Sequence, residues 1–248
     1  MDLSEKGAKG QSSNRRLFMQ LQAFGNCPDP EALKYELQKS GLETILYLDL
    51  NDPQGCAVLY ITEDPLELAR SWRCALSSKT FLSLQRKPGL TMTGRTYSGG
   101  YEPDLEDWLL QRPRRYLKNP EWPWAVWYPL RRKAVFERLT PEEQGQMMRE
   151  HGGIGRKYGE AGLAGDVRLA CHGLDTHDND FVIGLMGPEL HSLSRCVQDM
   201  RGTRQTAEYM QSLGPFFVGK VYWVSTTVRV AAHPEEPRSG VSKGTSGA

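Results

Sequence analysis

Residues 28–62, PDPEALKYELQKSGLETILYLDLNDPQGCAVLYIT, decide how this chain is read. Pro28-Asp29-Pro30-Glu31 is a helix start, with Glu31 near the positive end of the helix dipole. Ala32 to Ser40 continues the helix and Gly41 stops it. Leu42 to Leu50 reads as a strand, Asn51-Asp52-Pro53-Gln54-Gly55 as a turn, and Cys56 to Thr62 as a strand apolar enough to be central. Working outward, residues 15–24 mix apolar side chains as a strand does. Asp64-Pro65 opens a second helix that runs to about Ala75, and Leu82 to Tyr97 is long and mostly extended. The order is β-α-β-β-α-β, the split βαβ or ferredoxin-like unit.

The second half repeats that order. Trp124 to Leu130 is a strand. Thr140-Pro141-Glu142-Glu143 is a strong helix start, with Thr140 as N-cap, Pro141 in the first position and Glu143 completing a capping box. The helix is expected to run to Glu150 or His151, to loosen at Gly152-Gly153, and to resume for a turn over Ile154 to Tyr158. Asp166 to Gly173 and Asp180 to Met186 read as strands around a turn at Asp175 to Asn179. Pro188 to Arg201 reads as a helix and Phe216 to Val224 as the last strand. The fold class is therefore α+β: tandem ferredoxin-like units at 15–110 and 123–230, packed into an α+β barrel-like subunit. A linker at 111–122 ends the Gly/Pro-punctuated stretch that opens at Ser98-Gly99-Gly100, within which Asp104 to Leu110 reads as one short helix. Polar, low-complexity residues 1–14 and 231–248 are expected to be disordered.

Composition narrows the function. With 39% apolar and 25% charged residues, the chain has material for an ordinary core. A net charge of +1 provides no global field for nucleic acid or an acidic membrane, so an anion site must come from local clustering. Trp122, Trp124 and Trp127 beside Arg114, Arg115 and Lys118 are accordingly read as core and interface aromatics, not as a nucleic-acid stacking platform. The five cysteines are scattered without CxxC spacing, so neither a disulfide framework nor a zinc site is expected, and a cytoplasmic location fits. Met1 to Arg15 has no apolar core of a signal peptide, and no apolar run approaches the roughly 18 residues of a membrane span. No Walker loop, GxGxxG, GxSxG, HExxH or CxxCH is present.

The chemistry-bearing stretch lies between Trp127 and Asp175. His151 has two readings: a helix C-terminal histidine interacting with the dipole, or a ligand with glycines beside it that leave room for a flat macrocycle. Tyr128 is either a half-buried aromatic at a barrel mouth or a redox tyrosine. Arg131, Arg132 and Lys133 form either a solvated turn or a carboxylate-binding cluster. Asp166, Arg168, Ala170 and His172 share one strand face by period two. Arg168 on that face is a solvent-facing arginine or a cation over a bound group. His177 lies in a polar turn that lacks the Gly and Glu of a calcium loop. His191 and His233 have no partner pattern.

Taken together, Tyr128-Pro129 with its basic run, Glu150-His151-Gly152, Ile154-Gly155-Arg156-Lys157-Tyr158, Gly173-Leu174-Asp175 and Gly214-Pro215-Phe216-Phe217-Val218-Gly219 resemble the chlorite dismutase superfamily. The resemblance covers about residues 120–222 and is nearest to the coproheme decarboxylase branch. It implies an iron-bearing haem (coproheme or haem b) in the C-terminal unit and a homo-oligomer, usually a pentamer. His151 would be the proximal iron ligand and Tyr128 the tyrosine that oxidises a propionate. Arg132 would stand at the propionate-site lysine, with Arg131 and Lys133 beside it. The implied partners are a porphyrin with peroxide or a small oxyanion. The family's distal Arg or Gln falls on Ala164 or Asp166, so Arg168 is the neighbouring cation that would replace it. A carboxylate partner for His151 is expected between Arg201 and Glu208. The leading expectation is peroxide-dependent decarboxylation of coproheme. The alternatives are a chlorite dismutase, a nonspecific haem b peroxidase, or a non-enzymatic haem-binding module.

Overall fold

The computed structural model describes residues 1–226. Eight strands form the frame. The N-terminal unit supplies β1 (Phe18–Gly25), β2 (Thr44–Asp49), β3 (Cys56–Thr62) and β4 (Met92–Thr96). The C-terminal unit supplies β5 (Trp124–Arg132), β6 (Gly165–Ala170), β7 (Phe181–Gly187) and β8 (Phe217–Val224). Within each unit the spatial order is fourth, first, third, second, as a ferredoxin-like sheet requires. The two sheets then join along both edges. β2 pairs with β8 on one side and β4 pairs with β6 on the other, so the strands close into one antiparallel barrel. Closure leaves these eight strands no free edge.

Period-two alternation sorts the side chains between two surfaces. The inward set, including Met19, Ile45, Tyr47, Leu59, Trp127, Leu169 and Phe217, forms one continuous core. Barrels of about eight strands have an interior that side chains just fill. Close packing is visible where Gly184 faces Trp127: a Cβ there would stand 2.7 Å from the indole, so only glycine fits. The outward set is covered by helices. Helix α1 (Pro30–Ser40) is capped by the Asp29 carboxylate, which accepts from the Glu31 and Ala32 amides, and ends at Gly41 with φ 64°. Its Leu33 and Leu37 pack on Leu46, Val58 and Tyr60.

Several local expectations change. The helix after Thr140 does not loosen at Gly152-Gly153. It runs unbroken as α2 over Pro141–Glu160, behind the capping box of Thr140 and Glu143. Each glycine weakens a helix by roughly 1 kcal/mol against alanine, but α2 lies against the two helices that follow β7, and packing overrides propensity. Residues 111–122 are not simply a linker, because residues 105–117 are helical. A π-turn at Asp107–Gln111 precedes Pro113 and accommodates its missing donor. The segment is docked: Arg114 grips the buried Glu43 through two nitrogens, at 3.0 and 2.9 Å, and Lys118 reaches the same carboxylate at 2.7 Å. Leu82 to Tyr97 is broken by a 3-10 turn at Pro88–Leu90.

Residues 1–14, expected to be disordered, form a small hairpin in which Glu5–Lys6 pairs with Ser12–Ser13. Glu5 anchors it through Arg95 at 2.8 Å and the Ser98 amide at 3.0 Å, and Gln11 bonds Pro103 and Leu105. The low-complexity reading missed these long-range partners. The tail expected at 231–248 lies outside the described residues, as does His233. No described helix is long and apolar enough to cross a membrane.

Candidate haem-binding cleft

A cleft opens between the outer face of the C-terminal sheet and its helices. The helical wall is α2, α3 (Leu190–Arg201) and α4 (Arg204–Tyr209). The sheet wall is β5, β6 and β7. The lining is mostly apolar, with Leu130, Met148, Ile183, Leu185 and Met200 among its members. An apolar lining with a few convergent polar groups is the character of a site for a small organic ligand or cofactor.

Strand alternation decides which residues of Tyr128 to Lys133 reach the cleft. Tyr128, Leu130 and Arg132 share the outward face, and all three line it. Arg131 projects the other way and pairs with Asp178 at the surface. Lys133 is exposed, and its ammonium donates to the Glu208 carbonyl at 2.7 Å. The basic run expected to act together is therefore split, and Arg131 and Lys133 are corrected to surface roles.

Arg132 is unlike its neighbours. Its guanidinium lies over the Phe136 ring at 4.5 Å and the Phe181 ring at 4.8 Å. Its Nε is buried without a hydrogen-bond partner among the described residues. Burial lowers its pKa from the ordinary value. An arginine held between rings, with an unused nitrogen beside a cleft, is prepared for an anionic partner. Arg132→Met should therefore have opposite effects on binding and on folding. Affinity for a carboxylate-bearing macrocycle should fall on the order of ten- to a hundredfold, the worth of a charge-assisted hydrogen bond. Stability of the ligand-free protein should hold or rise, because an unpaired buried charge is removed. Calorimetric titration and thermal unfolding of the same variant check both halves. A large loss of stability would show that Arg132 serves the fold instead.

Tyr128 is 6% exposed, and its ring stacks on Phe216 at 4.7 Å. Burial pushes its phenol pKa above the ordinary value, so it is a neutral phenol at physiological pH. On the opposite wall, His151 projects from the middle of α2, so its reading as a helix C-terminal histidine is overturned. Its Nδ1 lies 3.2 Å from Thr203 Oγ1. No atom would crowd a Cβ at Gly152 or Gly153, but neither glycine lines the cleft that His151 enters. Burial chiefly, with Arg168 and Arg132 adding to it, lowers the His151 pKa from 6.5 to about 4. The imidazole is thus neutral near pH 7, the form a metal needs.

This shift has a sign for stability. The unfolded chain takes up a proton at His151 below about 6.5 and the folded chain only below about 4, so stability is full above that window and falls as pH drops through it. The expected loss is on the order of 3 kcal/mol. Urea unfolding at several pH values should show a shallower acid slope in His151→Leu than in the unaltered protein. Equal slopes would mean that His151 is solvated.

The third group is on the sheet. Ala164, Asp166 and Arg168 all line the cleft. Asp166 accepts from Arg112 at 2.9 Å and is also hydrogen-bonded by Arg168 Nε. Burial works to raise the Asp166 pKa, but Arg168 and Arg112 outweigh it and hold the carboxyl low. The expected cation is therefore present at Arg168, but it is tied to a carboxylate. His172, expected on the same face, lies beyond the end of β6 and is exposed, 3.8 Å from Asp180. Cys171 is fully buried in the barrel core. Sequence reasoning missed Tyr97, which enters the cleft from the N-terminal unit and packs on Phe181 at 5.3 Å, and Gln205, whose buried Oε1 has no partner among the described residues. Tyr97 had no signal beyond its place at the end of an expected strand.

The model of the chlorite dismutase family matches residues 62–222, well over half of the chain. This chain belongs to the chlorite dismutase family. Coproheme decarboxylases from two strains of Thermus thermophilus are each 28% identical over 149 residues, which cover 55% of this chain and 58% of theirs. The matched part is thus less than two thirds of those relatives' length. Among solved structures, a heme-binding protein of Thermus thermophilus superposes with a TM-score of 0.65 at 20% identity, covering 84% of this chain and 91% of the other. A variant chlorite dismutase of Candidatus Nitrospira defluvii gives 0.66 at 14% identity, covering 84% and 92%. At those identities the likeness is one of fold, and it extends the family's barrel to the N-terminal unit.

Proposed function

We propose that the cleft holds an iron porphyrin on His151 and that the chain is a haem-dependent oxidoreductase of the coproheme decarboxylase type. The observation that carries this reading is the facing of His151 and Tyr128 across one apolar cleft with Arg132 at its side. A fit to the cofactor is supported by the protein's own groups. His151 is half-buried, neutral near pH 7 and lines the cleft. Among the described residues, no cluster of three or more His, Cys, Asp or Glu side chains is placed to hold a bare ion. A metal on His151 would therefore bring its other donors with it, as iron in a macrocycle does. The unused nitrogen of Arg132 supplies a carboxylate site.

When bound, the iron macrocycle supplies the oxidising power drawn from peroxide. The chain's residues place and discharge it. Arg132 holds a propionate carboxylate through a charge-assisted bond. Tyr128 gives up an electron and a proton and then recovers a hydrogen atom from the propionate chain. That chain then gives up a second electron to the oxidised cofactor, loses carbon dioxide and becomes vinyl. Overall, one propionate, one peroxide and one proton give one vinyl group, one carbon dioxide and two waters, so atoms and charge balance. The apolar walls keep bulk water from the oxidised tyrosine.

A chlorite dismutase activity is the weaker reading, because Asp166 neutralises Arg168, the cation expected to stand in for the family's distal residue. A haem b peroxidase remains the alternative that shares the same cleft. The two are separated by mixing the protein with iron coproporphyrin and peroxide and following porphyrin mass. Stepwise loss of two propionate carboxyls is the expected result. A bound but unchanged coproporphyrin would exclude the decarboxylase and leave the peroxidase.

A further inference from the structure

The hydroxyl of Thr203 has one proton and three polar neighbours. Thr203 is 1% exposed, and its Oγ1 lies 2.8 Å from the Met200 carbonyl, 3.2 Å from His151 Nδ1 and 3.2 Å from Thr206 Oγ1. A carbonyl can only accept, so the proton of Thr203 is committed to Met200 by the shortest of these contacts. Oγ1 then offers its lone pairs to the others. His151 Nδ1 must donate, and Nε2 is left as the only lone pair of the ring. The reverse arrangement would break the Met200 bond and put a proton on Nε2, where a metal must bind.

Thr203 also stands where a carboxylate was expected. The acidic groups nearby are engaged elsewhere: Glu208 pairs with Arg204 at 3.0 Å, and Glu150 lies 3.4 Å from the Arg204 amide. A carboxylate on the far nitrogen of a ligating histidine raises its basicity. A hydroxyl whose own proton is directed away adds no negative charge.

We propose that Thr203 is the positioning residue of His151: it fixes the Nδ1–H tautomer and, being neutral, leaves the imidazole a weaker donor than a carboxylate-paired histidine. The first half concerns the ligand-free protein alone. The second rests on the haem reading above.

The first half is tested by long-range proton–nitrogen NMR on nitrogen-15-labelled, ligand-free protein near neutral pH, with His151 assigned by its loss in His151→Ala. Unaltered protein and Thr203→Ser should show the proton on Nδ1. Thr203→Val, with folding checked by its melting transition, should shift the population toward Nε2–H. A proton on Nε2 in the unaltered protein, or a Thr203→Val spectrum like the original, overturns the assignment. So does failure of Thr203→Ser to keep the Nδ1–H form. For the second half, Thr203→Glu loaded with ferric coproporphyrin should have a lower midpoint potential than the unaltered protein, and an unchanged potential overturns it. If no porphyrin binds at all, the second half falls together with the haem reading, while the tautomer result stands on its own.

Discussion

Replacing His151 by alanine is expected to abolish tight binding of iron porphyrin and to leave the barrel folded. The two outcomes separate because of where the residue sits. Its side chain faces the cleft from the middle of α2 and is not part of the barrel core or of the two outer clusters. Among the described residues no other imidazole lines the cleft: His172, His177 and His191 are all exposed. Loss of a partner that merely orients a metal ligand costs roughly 10- to 100-fold in affinity, and loss of the ligand itself should cost at least that much. Alanine also removes the buried imidazole and its bond to Thr203, so folding stability near neutral pH should change by no more than about 2 kcal/mol. Near-native melting with lost porphyrin affinity would assign His151 to the ligand. Unchanged affinity would remove it from that role.

The second large effect is expected at Tyr128. Tyr128→Phe keeps the ring that stacks on Phe216 and removes only the phenol oxygen. A volume-conserving change of this kind costs less than about 1.5 kcal/mol in stability. Porphyrin affinity should be unchanged, because the groups proposed to hold the carboxylate and the iron, Arg132 and His151, are left in place. Release of carbon dioxide from iron coproporphyrin and peroxide should fall to background, since phenylalanine has no proton-coupled electron to give. This split, binding kept and turnover lost, is the mark of a group used in the reaction step alone. Tyr97 and Tyr158 line the same cleft and provide internal controls. Should Tyr128→Phe keep its activity while Tyr97→Phe loses it, the redox role belongs to the tyrosine from the N-terminal unit.

How much of this was legible in the sequence depends on the range of the forces involved. The two β-α-β-β-α-β units could be read because local signals agree: Asp29 and Gly41 bracket α1, Thr140 and Glu143 open α2, and Cys56 to Thr62 runs apolar from end to end. The barrel's closure depends on pairings such as Gly219 with Asp49 and Arg95 with Ala170, and no local pattern encodes those. Arg131, Arg132 and Lys133 looked equivalent as a run of charge. Strand alternation separates them, and it could have been applied once Trp124 to Leu130 was read as a strand. Asp166 was noted for its position, but its tie to Arg112 required the helix at 105–117, of which the Pro-punctuated sequence offered only the short piece at Asp104 to Leu110. Thr203 was hidden for a different reason. A threonine has many uses, and only the distance to His151 gives this one a role.

One binding event underlies every role proposed for His151, Tyr128 and Arg132. Purified protein titrated with ferric coproporphyrin, followed by its ultraviolet–visible spectrum, tests that event directly. The expected result is a saturable shift of the Soret band, at one macrocycle per chain, that disappears in His151→Ala. A spectrum that stays that of free porphyrin, or an equal shift in His151→Ala, would contradict the assignment of this cleft.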